Sequence, residues 1–232
     1  MEKIAVPIAI ILAGGLIAGA LYLSNTKAGV VAKAGTQQAT AQATAGKIRS
    51  VSGSDHILGN PNAQVIIVEY SDTECPYCKQ FQTTLHQVIN DYGASGQVAW
   101  VYRDFPIVQL HPRSPKESEA TECAGELGGP SVYWKYLDEI YAITPSNNGL
   151  DPAELPKIAK DVGLNVDSFN TCLSSGKYVQ KVETDRAEAV AAGGQGTPFF
   201  VLINTKDGSQ TPMTGAYPYE QLKPIIDAML KS

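Results

Sequence analysis

The sequence predicts an α/β domain whose sheet is interrupted by an inserted helical region, preceded by an N-terminal transmembrane helix. Three observations predict it. Short β-branched runs stand early, at Val65–Tyr70 (VIIVEY), and late, at Phe199–Asn204 (FFVLIN). Between about residues 111 and 192 the apolar spacing is helical throughout, and the segment Ile4–Leu23 holds twenty residues without a charge. The chain of 232 residues has room for one ordinary domain and an appendage.

The uncharged segment Ile4–Leu23 would span about 30 Å as a helix, the thickness of a bilayer's hydrocarbon core. Residues 1–23 are therefore expected to be a single-pass anchor in the cell membrane. A cleaved signal peptide competes, but its apolar core is normally shorter, and the nearest small-x-small site, Ala32–Ala34, lies far downstream. Lys3 precedes the span and Lys27 and Lys33 follow it, so basic side chains barely set an orientation. Residues 24–50 are rich in Ala, Thr, Gln and Gly, have no apolar period, and are expected to be a flexible linker.

Residues 51–232 make the domain. After the strand Val65–Tyr70, apolar residues at Cys78, Phe81, Leu85, Val88 and Ile89 predict a helix over Cys75–Tyr92. Gln97–Phe105 reads as a second strand. Helices are expected at Lys116–Leu127, Val132–Ile143, Pro152–Val162, Val166–Leu173 and Tyr178–Ala192, separated by Gly, Pro and Asn. Phe199–Asn204 and Thr211–Thr214 flank Asp207-Gly208, a hairpin signal, and a last helix runs over Tyr219–Leu230.

Composition narrows the function. The chain carries 18 basic and 23 acidic residues, a net charge of −5, and no basic cluster, which argues against nucleic acid as a partner. Residues 51–232 alone hold 13 basic and 22 acidic side chains, a net charge of −9. With 44% hydrophobic and 18% charged residues, the chain can fill a core and is not a disordered one.

The four cysteines carry the chemistry. Cys75-Pro76-Tyr77-Cys78 falls where the first strand hands over to its helix, so Cys75 meets the unpaired N–H groups of a helix N-terminus. Those groups favour a thiolate. Pro76 suits the first turn, where its missing N–H costs nothing. Cys78 is one turn further on the same side, within disulfide reach and deeper. Thiolates in such motifs are nucleophiles and good leaving groups. A structural zinc site would need two more ligands in a second close pair, and neither the remaining cysteines nor the three histidines supply one. No metal or other cofactor is expected. A purely structural Cys75–Cys78 disulfide is the other bland reading.

Cys123 and Cys172 share helical stripes with apolar neighbours and are expected to form a structural disulfide in the helical core, worth about 4 kcal/mol at most. Two buried thiols, or a second redox pair, are the alternatives. Tyr133, Trp134, Tyr136 and Tyr141 form an aromatic cluster that reads as core packing. His56 and His86 read as surface or core bystanders, and Asp72 and Glu74 as solvated charges that would oppose a thiolate nearby.

Taken together, GNPNAQVIIVEYSDTECPYC, TECAGELGG, FNTCLSSGKY and GTPFFVLIN resemble the thioredoxin-fold thiol oxidoreductases of the DsbA type, above all membrane-anchored bacterial ones. The resemblance runs from about Ile57 to Leu230. It implies a thioredoxin fold with an inserted helical subdomain and dithiol-disulfide exchange at Cys75 and Cys78. It also implies that Thr197-Pro198 is a cis-proline loop facing the active pair and binding substrate backbone, with Pro76 and Tyr77 beside it. Glu69 matches an acidic residue beneath the pair, where burial would raise its pKa and let it relay the proton of Cys78. Tyr77 departs from the histidine common in the strongest oxidants, so a milder oxidant is expected. His111 matches a histidine ahead of the helical insertion, with a hydrogen bond at the helix start as its expected role.

The function so implied is disulfide formation in unfolded or folding exported proteins, on the extracytoplasmic side. Reoxidation would come from a quinone-linked membrane partner of the DsbB or vitamin K epoxide reductase type. The same site running as a reductase or isomerase is the first alternative, and a non-catalytic binding module the second.

Overall fold

A computed structural model describes residues 46–232. The anchor expected at 1–23, and all of the linker except its last five residues, lie outside the described residues. Among the described residues no helix is long and apolar enough to cross a membrane.

One five-stranded sheet organises the domain, in the order β1-β3-β2-β4-β5. Its strands are β1 (His56–Gly59), β2 (Val65–Ser71), β3 (Val98–Asp104), β4 (Phe199–Asn204) and β5 (Ser209–Thr214). β2 runs parallel to β3 and antiparallel to β4, with Glu69 opposite Tyr102 on one side and Phe200 on the other. α1 (Pro76–Tyr92) connects β2 to β3, the crossover that a parallel pair requires. Five helices then intervene: α2 (Ser114–Gly128), α3 (Pro130–Ile143), α4 (Leu155–Asp161), α5 (Val166–Ser175) and α6 (Val179–Ala191). The chain closes with the β4–β5 hairpin and α7 (Tyr219–Lys231).

The two-residue period of β2 divides its side chains between two cores. Val65 and Ile67 join Cys78, Phe81, Leu85 and Val88 of α1, Tyr133, Trp134, Leu137 and Tyr141 of α3, and Leu222 and Ile226 of α7. Ile66, Val68 and Tyr70 face the other way, onto Ala189 of α6. Each of Phe81, Leu85 and Val88 is fully buried, worth about 1.5–3 kcal/mol apiece against exposure. Glu69 and Ser71 continue the first face, so the same alternation that fills the core drives a carboxyl into it. A third core lies within the helical subdomain around Ala120, Tyr136, Ile140, Ile158 and Phe169, with Cys123 and Cys172 among them.

Several expectations are corrected. β1 is absent from the sequence reading because four residues are too few to show a period, yet it pairs antiparallel with β3 from His56 to Gly59. The helix expected over Pro152–Val162 splits into a 3-10 turn, Pro152–Glu154, and α4, with a second proline, Pro156, in the first turn of α4. α2 begins two residues early, with Pro115 in its first turn.

Residues 46–50 pack onto the domain. Ile48 is buried and exchanges backbone hydrogen bonds with the Gln210 side chain. The Arg49 guanidinium pairs with Asp55, Asp185 and Glu188. Arg103, fully buried, joins the same group through Asp55 at 2.8 Å and Glu188 at 3.0 Å. Long-range ion pairs of this kind leave no signal in sequence spacing.

Candidate active site

Cys75 is the N-cap residue of α1, its backbone extended at φ −81° and ψ 122°, and Pro76 is the first helical residue. No cap side chain satisfies the first-turn amides there, so they are free to face the sulfur. Cys75 and Cys78 are both free thiols. Cys78 lies wholly inside the first core, and Cys75 is 5% exposed. The Tyr77 side chain, by contrast, stands 64% exposed beside the pair.

The Thr197-Pro198 peptide bond is cis. The Thr197 carbonyl oxygen lies 3.5 Å from Cys75 Sγ, so the loop before β4 meets the start of α1. Of the residues expected at the site, the fold thus brings Cys75, Pro76, Tyr77, Cys78, Thr197 and Pro198 to one end of the sheet. Glu69 lies behind them, fully buried.

The two thiols have opposite environments. A hydrogen bond from the Cys78 thiol, outweighing partial burial, lowers the Cys75 pKa to about 6, with the Thr197 side chain and the backbone N–H groups of Cys78 and Tyr77 helping. Burial pushes Cys78 well above the ordinary thiol range. Burial likewise raises Glu69 to about 8, against the pull of Ser71, Trp100 and Gln82. Its Oε1 accepts from Ser71 Oγ at 2.8 Å, its Oε2 from Trp100 Nε1 at 3.0 Å, and Gln82 Nε2 lies 3.3 Å from Oε2.

Asp72 and Glu74 overturn the expectation of solvated charges, since both are fully buried. Asp72 Oδ1 accepts from the Glu74 amide at 2.9 Å, and Oδ2 accepts from the Ile107 amide at 2.7 Å and contacts His111 Nδ1 at 2.9 Å. Glu74 accepts from the amides of Gly149 and Leu150 at 3.1 and 3.0 Å. The inserted subdomain folds over the β2–α1 loop, and these carboxylates hold its connecting loops. Hydrogen bonding to backbone N–H is what makes their burial tolerable. His111 has its bond beside the start of α2, where its main-chain oxygen accepts from Ser114 N.

Cys123 and Cys172 are joined in a disulfide, with Cα atoms 5.9 Å apart, in the helical core and outside the cluster around Cys75. Among the described residues no group of three or more His, Cys, Asp or Glu side chains is arranged to hold a metal ion.

Sequence reasoning missed Ser71, Gln82, Trp100 and Tyr141. Ser71 follows Glu69 by two on the same strand face, and Gln82 follows Cys78 by four on the same helix face, so both were within reach of periodicity. Trp100 needs the β2–β3 register. Tyr141, read as core packing, also hydrogen-bonds, its hydroxyl lying 3.0 Å from Ser71 Oγ and 3.0 Å from Tyr102 Oη.

Comparison with known proteins gives the same frame. A family model described as thioredoxin matches residues 51–228. The crystal structure of Pseudomonas aeruginosa DsbA2 superposes with a TM-score of 0.67 at 24% identity, covering 79% of this chain and 98% of that one. Oxidised BdbD from Bacillus subtilis superposes with a TM-score of 0.66 at 20% identity, covering 77% and 94%. Among curated sequences, the Na(+)/H(+) antiporters NhaA 3 of Salinispora tropica and NhaA 1 of Salinispora arenicola are 32% and 30% identical over 64% and 75% of this chain. The aligned region makes up only 21% and 26% of those relatives, so the chain spans about a quarter of their length. On the family match and the superpositions together, the chain belongs to the thioredoxin family and has a DsbA-like fold.

Proposed function

We propose that the protein is an extracytoplasmic thiol-disulfide oxidoreductase that forms disulfides in exported proteins through Cys75 and Cys78. The observation that carries this reading is the asymmetry of the pair: an acidic thiol at a helix N-terminus, facing a cis-proline loop, and a more deeply buried, basic one behind it. A substrate thiolate attacks Cys75 Sγ of the disulfide form, the Cys75–Cys78 bond breaks, and Cys78 leaves as a thiolate. The protonated Glu69 carboxyl supplies its proton. A second substrate thiolate then attacks the substrate sulfur of the mixed disulfide and expels Cys75, whose low pKa makes it the better leaving group.

The substrate backbone would lie along Thr197 and Pro198, with Pro76 and the exposed Tyr77 as the adjoining surface. Residues 1–23 would hold the domain at the cell membrane, and the linker would keep it near a quinone-linked reoxidant of the DsbB or vitamin K epoxide reductase type. Stabilising the reduced form as a Cys75 thiolate favours oxidation of the substrate over its reduction.

The test is oxidation of a reduced, unfolded ribonuclease by the disulfide form, together with the potential of the pair against glutathione. Activity that vanishes in Cys75→Ser, with a potential above about −230 mV, is expected. A lower potential would make the enzyme a reductase, and activity surviving Cys75→Ser would leave only a binding module.

A further inference from the structure

Glu69 is sealed from water on every side the active pair presents, yet each turnover must return a proton to it. A cleft of about 350 Å3 between α1 and α3 offers the route, and its walls include Lys79, Gln82, Thr83, His86, Asp138 and Tyr141. Two of those walls reach Glu69 directly or through one group. Gln82 donates its amide N–H to both carboxyl oxygens, while its own Oε1 is buried without a protein partner among the described residues. Such an orphan acceptor beside a polar cleft is the mark of a water site. Tyr141 Oη touches Ser71 Oγ, and Ser71 Oγ donates to Glu69 Oε1. The Ser71 side chain also counters part of the upward shift that burial imposes on Cys78. Hydroxyls can accept one proton while passing on another, which an amide does poorly.

At the mouth of the cleft His86 Nε2 lies 2.9 Å from Asp138 Oδ1, both side chains part-exposed, and the imidazole stands edge-on to Trp100 at 5.3 Å. The ionisable groups around it are Asp138 and Tyr141 of α3, Lys79 of its own helix and Glu69 of β2. Lys79 is occupied by the carbonyls of Ala142 and Thr144. The hydrogen bond to Asp138, outweighing partial burial, raises the His86 pKa and so favours the protonated imidazolium at the cleft.

Resting on the oxidoreductase reading above, we propose that this cleft is the proton port of the active site, with the Ser71 and Tyr141 hydroxyls as its wire and His86, held by Asp138, as the positioning residue that exchanges protons with solvent. When the Cys75–Cys78 bond breaks, the Cys78 thiolate takes the Glu69 proton. The carboxylate recovers one through Ser71, Tyr141 and cleft water, and His86 passes it in from bulk solvent. One proton enters per disulfide reduced, and the same path carries it out on reoxidation.

The experiment is single-turnover reduction of the Cys75–Cys78 disulfide by dithiothreitol across pH, in wild type, His86→Ala and His86→Gln. Gln keeps a polar group beside Asp138 but cannot carry the proton. Both variants are expected to slow the reaction about tenfold and to lose one limb of the pH profile, with free imidazole restoring the rate. Tyr141→Phe is expected to slow it similarly without responding to imidazole. A wild-type pH profile in His86→Ala, full recovery by Gln alone, or no imidazole response overturns the port. Absence of exchange in the wild-type protein, or exchange surviving Cys75→Ser, overturns the oxidoreductase reading instead.

Discussion

The Cys75 thiol lies 3.5 Å from the carbonyl oxygen of Thr197, across 122 residues of sequence. The carbonyl can accept a hydrogen bond from a protonated sulfur but offers nothing to an ionised one. The groups that favour the anion are the Cys78 thiol and two amides of α1, together with the Thr197 side chain. Charge stabilisation is therefore shared between the motif and the distant loop, whose Thr197 carbonyl is left to meet a partner backbone.

The first prediction concerns that charge. Thiolate absorbance at 240 nm in the reduced protein should titrate for one sulfur near pH 6, with the other silent through neutrality. Cys78→Ala removes the largest stabiliser and should move the remaining titration upward. Because the folded pKa lies below the ordinary value of 9.0, ionisation contributes stability to the reduced form at higher pH, and it is lost as pH falls through about 6. Urea unfolding of reduced and oxidised protein from pH 5 to 8 measures this directly. A single free-thiol titration near 9 would be incompatible with it.

Glu69 works in the opposite sense. Its folded pKa, about 8, lies above the ordinary 4.5, so between these values the unfolded chain holds fewer protons than the folded one, and this residue's contribution falls as pH rises. Glu69→Gln should flatten that part of the stability profile and slow exchange about tenfold to a hundredfold. Equal slopes in both proteins would contradict the burial argument.

The Cys123–Cys172 disulfide closes a loop of 49 residues, for which chain entropy gives about 4 kcal/mol as an upper figure. Replacing both cysteines with alanine should lower stability by about 2–4 kcal/mol in denaturant unfolding while leaving thiol exchange at Cys75 intact in the folded protein. Loss of exchange at temperatures where the variant remains folded would reveal electron transfer between the two pairs.

Tyr77 is the exposed residue between the active cysteines. Tyr77→His would place an ionisable donor next to the thiolate, and an added interaction of about 1.4 kcal/mol corresponds to about 30 mV. The potential should become more oxidising by roughly that amount. A shift in the reducing direction would mean that the tyrosine already stabilises the thiolate.

Much of this was legible beforehand because the informative signals are local. A β-branched run, a helix period and a Cys-x-x-Cys at their junction place Cys75 and Cys78 without any tertiary knowledge. The cis state of Thr197-Pro198 was legible only through family resemblance, since most X-Pro bonds are trans. Asp72 and Glu74 read as solvated because charge near a turn ordinarily means solvent, and nothing in the order of elements says that the insertion folds back over that turn and buries both. The Tyr141 hydroxyl was hidden by its ring, which packs as the period requires while its polar tip reaches Ser71.

Arg49 binds three carboxylates drawn from the segment before β1 and from α6, and each of the three also receives Arg103 of β3 or Lys181 of α6. A tug on the chain ahead of residue 46 would accordingly meet an ionic knot before any strand hydrogen bond. Tension would pass into β3 and α6 together, on the face of the sheet opposite the core that holds Cys75 and Cys78, so the load and the sulfur chemistry would share one end of the sheet but not one side of it.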